Sequence, residues 1–287
     1  MMLYSYYLKH ANTEFEWGPF DDSYETFLEN KKNNPNDRCL QYYSENPITY
    51  KTNNYGFRSP DDIAEGFDGN LYLGCSHTYG LGHYWENTWV SLLNEKIGGK
   101  CLNLGVPGTG IGTGARILNK IKGLIKPKNI FCHYIHPYRY EYWDWVGKNW
   151  RTISPAFKNK SFDHHAPVPK EMLMYLAEEE YMRAYYRSNF ALVKDIARQL
   201  NAKLHSVPLV TQQAIKRDNR YVIKDDTPLP HKSRDLQHHN IMWHRNLADR
   251  FFKAYSDNEP IDEFPAESNV EYFKNNKPIS NPIKNLL

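Results

Sequence analysis

The sequence predicts an α/β fold whose parallel sheet is covered by helices on both faces. Four short runs, bounded by Gly, Pro or polar residues, have the character of buried parallel strands; they span 70–75, 100–105, 129–135 and 204–210. Helical patterns separate them, and alternating strands and helices predict parallel strands joined by right-handed crossovers. Ligands of such sheets bind beyond the carboxyl ends of the strands, so we expect the chemistry there.

The helices are predicted from apolar residues that recur every three or four positions. The first covers 85–97 and ends at a glycine pair, and the second covers 117–125 and ends before a proline. A long helical stretch that contains a break is expected from about residue 170 to residue 200, and a final amphipathic helix within 241–255. Each lies where a parallel sheet needs a covering helix.

The predicted core occupies residues 56–258 of a 287-residue chain, a length that allows one large domain or two small ones. Residues 1–55 are rich in Asn and Tyr and are predicted to be an N-terminal extension that wraps on this domain. Residues 259–287 contain four prolines and many asparagines, which predict an extended C-terminal tail.

An aromatic insertion at 138–169 interrupts the alternation of strands and helices. Its tryptophans fit three interpretations, namely stacking on sugar rings, a contact in a homo-oligomer, or the small core of the insertion. We favour the last two together. The tryptophans are Trp143, Trp145 and Trp150.

Composition argues against several classes of partner. Lys and Arg total 36 against 33 Asp and Glu, a net charge of +3, whereas a nucleic-acid-binding protein normally shows a clustered basic excess. The mean hydropathy of −0.74 and the lack of a long apolar run predict no membrane-spanning segment. We therefore expect neither a nucleic acid nor a membrane as partner.

The four cysteines are far apart and form no CxxC pair, so neither a zinc site nor a dense disulfide framework is predicted. No metal or other cofactor is expected. The start of the chain lacks the apolar stretch of a secretory signal. This predicts a cytoplasmic location, and a protein packaged into a particle would show the same features.

The first candidate for chemistry is Ser76, in the sequence GCSHTYG at 74–80. A serine at a strand-to-helix turn can be held exposed, with neighbouring backbone N–H groups directed at the same space. The same residues also fit a tight turn in which the serine only caps the helix.

A glycine-rich loop, NLGVPGTG at 103–110, follows the second strand. Its backbone N–H groups suit an anion or the oxyanion of an acyl-transfer intermediate. It lacks the ending of a phosphate loop, and turn chemistry alone also accounts for its glycines.

The third candidate is the pair Asp235 and His238, just before the last predicted helix. An aspartate three residues before a histidine can hold one ring nitrogen, which leaves the other nitrogen to act as a base. Other histidines lie nearby, so a structural histidine is the alternative interpretation. A parallel sheet would bring this pair, Ser76 and the glycine loop to one crevice, in the manner of an acyl-transfer triad.

Over residues 48–255 the chain resembles the SGNH (GDSL-type) hydrolases. The resemblance lies in YKTNNYGFR at 50–58, in GCSHTYG and NLGVPGTG, and in DLQH at 235–238. It implies a three-layer α/β/α sandwich with a flavodoxin-like parallel sheet. It also implies hydrolysis of an ester or acetyl ester through an acyl-serine.

The resemblance implies a role for each matching residue. Ser76 is the nucleophile, as in the family's Gly-Asp-Ser-like motif, and Asp235 orients His238, the base. Gly108, five residues after Asn103, matches the family's glycine that donates a backbone N–H to the oxyanion. The N–H of Ser76 itself completes this pair of donors.

Two positions depart from the family pattern. Cys75 replaces the aspartate before the nucleophile, and the third strand leads into YIHPYR at 134–139, without the asparagine that donates to the oxyanion. Loss of one such donor typically costs about 100- to 1,000-fold in rate. His136 or Arg139 substitutes for it, or the site is weak, or it is no longer catalytic.

Three functions follow from these observations. The first is a serine esterase acting on a small acyl group, such as an acetyl, carried by a carbohydrate or another polar molecule. The second is a binding or structural module, such as a carbohydrate-recognition or particle component, on the same scaffold. The third is an O-acetyltransferase that uses the same acyl-serine chemistry.

Overall fold

Strands and helices alternate through most of the described chain. The computed structural model describes residues 10–17, 23–134, 139–144, 148–153, 176, 178–206, 232–236 and 238–257. Its elements in chain order are β1 (Glu14–Phe15), α1 (Tyr24–Asn33), α2 (Arg38–Glu45), β2 (Tyr50–Lys51), β3 (Asn70–Gly74), α3 (Ser76–Tyr79), a 3₁₀ turn (Trp85–Asn87), α4 (Trp89–Ile97), β4 (Cys101–Asn103), α5 (Ile111–Ile121), β5 (Asn129–His133), β6 (Tyr140–Asp144), β7 (Asn149–Ile153), α6 (Glu179–Gln199), β8 (Lys203–Ser206) and α7 (Ile241–Ser256).

The central sheet has four parallel strands in the order β4-β3-β5-β8. Every residue of β3, β4 and β5 is buried, as expected for strands that are covered on both faces. Gly74 pairs with His133, so β3 and β5 reach the carboxyl edge of the sheet together. The predicted parallel sheet is confirmed. Residues 207–210 of the fourth predicted strand lie outside the described residues.

Helices pack on both faces of the sheet because successive strand residues point to opposite sides. Leu71, Leu73 and Ile130 face a core that includes residues of α5 and α6. Tyr72 and Phe131 face the other core, which includes residues of α4 and α7. The predicted mixed α/β architecture with helices on both faces is confirmed.

The helix bounds differ from the predicted ones at two places. The first predicted helix is split at residue 88, because Thr88 begins α4 as its N-cap and accepts a hydrogen bond from the backbone N–H of Ser91. The second begins and ends earlier, at Ile111 and Ile121. Within the third predicted stretch the structure has α6 at Glu179–Gln199, and residues 170–175 and 177 lie outside the described residues.

The described part of the predicted N-terminal extension has regular structure of its own. Helices α1 and α2 and the antiparallel pair β1–β2 lie within it. Its buried apolar side chains form one cluster with Tyr79 and Leu81, which follow β3. This segment therefore packs directly beside the end of β3.

The described part of the aromatic insertion begins with an antiparallel hairpin of β6 and β7. Trp143 and Trp150 face each other across it, with ring centroids 5.5 Å apart. Tyr140 packs with Leu176 and Met182 in a small apolar cluster. Trp145 and the C-terminal tail at 259–287 lie outside the described residues.

In the part of the chain that the structure describes, no helix has both the length and the apolar character needed to cross a membrane.

Candidate active site

Ser76 is the first residue of α3, directly beyond the carboxyl end of β3. Its side chain is buried, with 6% of the residue exposed. The preceding Gly74 has no room for a side chain, because a Cβ there would lie 1.9 Å from Thr78 Oγ1 and 2.6 Å from the carbonyl oxygen of His133. The GCS sequence therefore allows α3 to begin tightly against the edge of the sheet.

The glycine-rich loop after β4 packs against α3. Asn103 Nδ2 donates to the carbonyl oxygen of Thr78 at 2.9 Å, and Asn103 Oδ1 accepts from the N–H of Gly105 at 2.9 Å. A Cβ on Gly105 would lie 2.4 Å from the backbone nitrogen of Tyr79. Gly108 is half-buried with φ +75°, a conformation that favours glycine. The loop thus presents its backbone beside the helix that carries Ser76.

Asp235 and His238 form the pair that the sequence predicts. Asp235 Oδ2 contacts His238 Nδ1, and Asp235 Oδ1 accepts a hydrogen bond from the backbone N–H of His238 at 3.1 Å. Only 1% of Asp235 is exposed. Because the carboxylate holds Nδ1, the ring nitrogen placed for acid–base chemistry is Nε2.

The structure brings this pair to the helix that carries Ser76. The ring of His77, the next residue after Ser76, lies edge-on to the ring of His238 with 5.0 Å between centroids. In the turn that follows α3, the carbonyl oxygen of Gly82 accepts from the N–H of Arg234 at 2.9 Å. The stretches around 76 and 235–238 are thus neighbours, although they are far apart in sequence.

Arg139 lies along the glycine-rich loop. Its Nη1 donates to the carbonyl oxygen of Thr109 at 3.4 Å, and only 7% of the residue is exposed. A Cβ on Gly110 would lie 2.4 Å from the carbonyl oxygen of Arg139, so the two backbones are in close contact. The other proposed substitute donor, His136, lies outside the described residues.

Sequence reasoning missed a cluster of buried rings next to His238. The ring of His239 stacks on His77 at 4.7 Å and on Trp243 at 4.6 Å, measured between centroids. The remaining members of this histidine cluster are His83, His133 and His244. The available signal was the occurrence of histidines near the predicted strand ends and before the last helix.

Burial keeps the innermost histidines neutral. It lowers the pKa of His83 to about 4 and that of His133 to about 3, and it holds the pKa of His244 well below its ordinary value. Among the described residues, no group of His, Cys, Asp and Glu is arranged to hold a metal ion. His83, His133 and His244 therefore form a neutral, aromatic wall near the Asp235–His238 pair.

The arrangement has the parts that acyl transfer requires, which are a serine at a helix start, an oriented imidazole and a glycine-rich loop. The resemblance to the SGNH hydrolases rests on the sequence motifs. Neither a protein-family model nor a curated protein matches the chain.

Proposed function

We propose that the protein is a serine hydrolase that cleaves a small acyl ester through an acyl-serine intermediate. The observation that carries this proposal is the buried Asp235 held against His238, whose ring packs on the residue that follows Ser76. Strand order is compatible with the flavodoxin-like fold that the family resemblance implies. Counted within the sheet the order is 2-1-3-4, which matches the first four strands of the flavodoxin-like order.

In the proposed reaction, Ser76 Oγ attacks the ester carbonyl carbon while His238 Nε2 takes the hydroxyl proton. Asp235 keeps the imidazole in the required tautomer and stabilises its protonated form. The backbone N–H groups of Ser76 and Gly108 bind the oxyanion. His238 then returns the proton to the departing alkoxide, and water releases the acid from Ser76 with the same base.

We assign Arg139 to the oxyanion position that an asparagine fills in the family. It follows β5, lies against the glycine-rich loop and carries a fixed positive charge. Such a charge stabilises a developing oxyanion or holds an anionic group of the substrate. In this role Arg139 compensates for the missing asparagine donor.

The substrate class that we propose is an acetyl or similar small ester on a carbohydrate or another polar carrier. The hairpin that bears Trp143 follows β5 at the same edge of the sheet as Ser76, and the Trp143 side chain is half-buried. An amphipathic aromatic ring of this kind suits contact with a polar carrier. An O-acetyltransferase would use the same residues and differ in passing the acyl group to an alcohol.

A binding module on the same scaffold is the second candidate function. The sequence YIHPYR at 134–139 favours it, because the family's oxyanion asparagine is absent there. Under this candidate Ser76 would react neither with esters nor with serine-directed reagents.

Hydrolysis of p-nitrophenyl acetate by the wild type, Ser76→Ala and Ser91→Ala tests the proposal. Ser91 is a serine of similar burial on α4. We expect Ser76→Ala to lose about 1,000-fold or more in kcat and Ser91→Ala to keep wild-type activity. A fluorophosphonate probe should label Ser76, as located by peptide mass spectrometry. Equal rates in wild type and Ser76→Ala would reject the hydrolase, and absence of labelling together with sugar binding would favour the module.

A further inference from the structure

We infer that the N-terminal segment positions the Asp235–His238 pair, and that the hydroxyls of Tyr43 and Tyr50 are positioning groups for it. The inference rests on the proposed function and adds residues to the site that touch neither the substrate nor the reacting atoms. The shared support is the turn at residues 80–83, which follows α3 and is called the platform turn below.

The Asp235 loop lies directly on the platform turn. A Cβ on Gly82 would lie 3.1 Å from Ser233 Cβ and 3.4 Å from Asp235 Oδ1, and Gly82 has φ +75°. Glycine is therefore needed here both for its conformation and for the close approach. On the other side of the turn, His83 Nε2 contacts the carbonyl oxygen of His239 at 2.7 Å. Any displacement of the turn would thus move the loop that holds the base.

Arg58 holds the platform turn by hydrogen bonds to two of its backbone carbonyl oxygens. Its Nη1 donates to the carbonyl oxygen of Gly80 at 2.5 Å, and its Nη2 donates to that of His83 at 2.9 Å. The guanidinium lies 4.4 Å from the centroid of the Tyr50 ring, and only 2% of Arg58 is exposed. Tyr50 Oη in turn accepts a hydrogen bond from the N–H of Gly82 at 2.9 Å. A buried cation is retained here because backbone carbonyls and an aromatic face replace its hydration.

The N-terminal segment also bonds to the Asp235 loop directly. Tyr43 Oη donates to the carbonyl oxygen of Lys232 at 2.8 Å and lies 3.4 Å from that of Gly82, so this hydroxyl lies where the loop and the turn meet. Asn30 Nδ2 donates to the carbonyl oxygen of Asp235 at 3.0 Å.

The N-terminal segment also binds the part of the loop that precedes Asp235. Lys232 pairs with Asp37 at 2.6 Å. The guanidinium of Arg234 lies 3.7 Å from the centroid of the Trp17 ring, and its Nη2 donates to the carbonyl oxygen of Glu16 at 2.6 Å. The N-terminal segment therefore holds the loop at two residues that precede Asp235.

These contacts matter for chemistry because a nucleophile and its base must be positioned relative to each other with a precision of a fraction of an ångström. A misplacement of about 1 Å can cost about 100-fold in rate. Ser76 reaches the platform turn through the short helix α3, and Asp235 and His238 reach it through Gly82 and His83. The N-terminal segment sets both positions through one support.

The test compares Tyr43→Phe with Tyr84→Phe. The Tyr84 ring packs at the same aromatic cluster, and its hydroxyl donates to the carbonyl oxygen of Asn46 at 2.5 Å rather than to a carbonyl oxygen of the Asp235 loop. Both variants lose one hydroxyl bound to a backbone carbonyl. We expect Tyr43→Phe to lower kcat for p-nitrophenyl acetate by about 10- to 100-fold with little change in KM, and Tyr84→Phe to stay within about twofold of the wild type.

A second readout does not depend on catalysis. The proton between His238 Nδ1 and Asp235 should give a strongly deshielded ¹H NMR signal that Asp235→Asn removes. We expect Tyr43→Phe to broaden or shift this signal, and Tyr84→Phe to leave it unchanged. Should Tyr43→Phe fail to fold, Asn30→Ala removes a half-buried contact to the same loop and is expected to have the same effect.

The outcomes separate the two proposals. A wild type that neither hydrolyses the ester nor reacts with the probe ends the proposed function, and the NMR comparison still decides the positioning role. Equal signals in Tyr43→Phe, Asn30→Ala and the wild type would overturn the positioning role, even if Ser76 proves to be the nucleophile.

Discussion

Asp235 shows how one buried carboxylate can serve both the fold and the chemistry. One of its oxygens accepts the backbone N–H of His238, which closes a tight turn, and the other contacts the imidazole. Leu236, inside this turn, has φ +57°, a conformation that few non-glycine residues adopt. This strained turn brings the imidazole of His238, three residues after Asp235, onto the carboxylate of Asp235. The spacing of the two residues in the sequence alone could predict that contact.

Replacing Asp235 with asparagine should separate these two roles. The amide oxygen can still accept the N–H of His238, so we expect the fold to persist. An amide that donates to Nδ1 would favour the wrong imidazole tautomer, and kcat for p-nitrophenyl acetate should fall by about 10,000-fold. The control is Asp249→Asn on α7, which removes an exposed ion pair with Lys96 of α4. Retention of more than half of the activity in Asp235→Asn would contradict the assigned role.

At the scale of elements, β3, β4 and β5 could be predicted because each is a short, wholly buried run between turn residues. The start of α5 could not, because Gly112 and Gly114 hide the helical pattern. The structure supplies their reason: a Cβ at these positions would lie 2.1 Å from Tyr185 Oη and 2.3 Å from Tyr134 Oη, respectively. Close packing across the core therefore outweighs the poor helix propensity of glycine.

Helix α7 begins immediately after the candidate base, and its N-cap is a separate stabilising element. Asn240 Oδ1 accepts the backbone N–H of Trp243 at 3.0 Å, and Asn240 is itself exposed. We expect Asn240→Ala to lower the free energy of unfolding by about 1 kcal/mol, as measured by urea denaturation. Asn240→Asp keeps an acceptor at the helix start and should remain near the wild type. Equal losses in both variants would show that the acceptor at the helix start is not the source of the stability.

At the scale of the whole molecule, topology predicted that residue 76 and residues 235–238 would meet, because the carboxyl ends of parallel strands share one edge. The contacts of the N-terminal segment could not be predicted in this way. The bond from Tyr43 to Lys232 joins residues that no strand pairing or periodicity relates. The histidine cluster was hidden for the same reason, since its rings come from several separate elements.

Three wholly buried histidines should make the stability of the protein depend on pH. Burial lowers the pKa of His133 to about 3, that of His83 to about 4, and that of His244 well below the ordinary value of 6.5. Below pH 6.5 the unfolded chain therefore binds protons that the folded protein excludes, so stability falls as pH falls. Each histidine contributes a slope of about 1.4 kcal/mol per pH unit.

By pH 5 His83 and His133 together should cost roughly 4 kcal/mol, a large part of the total stability of about 5–15 kcal/mol of an ordinary domain. Neither ring nitrogen of His133 has a hydrogen-bond partner in the described part of the protein, and its ring packs among Trp89, Trp243 and Phe251. Phenylalanine should therefore be tolerated at this position. We expect urea denaturation between pH 6 and pH 4.5 to give a slope for His133→Phe that is lower than that of the wild type by about 1.4 kcal/mol per pH unit. An unchanged slope would mean that His133 already takes up its proton in the folded state. It would contradict the interpretation that His133 is a neutral residue beside the Asp235–His238 pair.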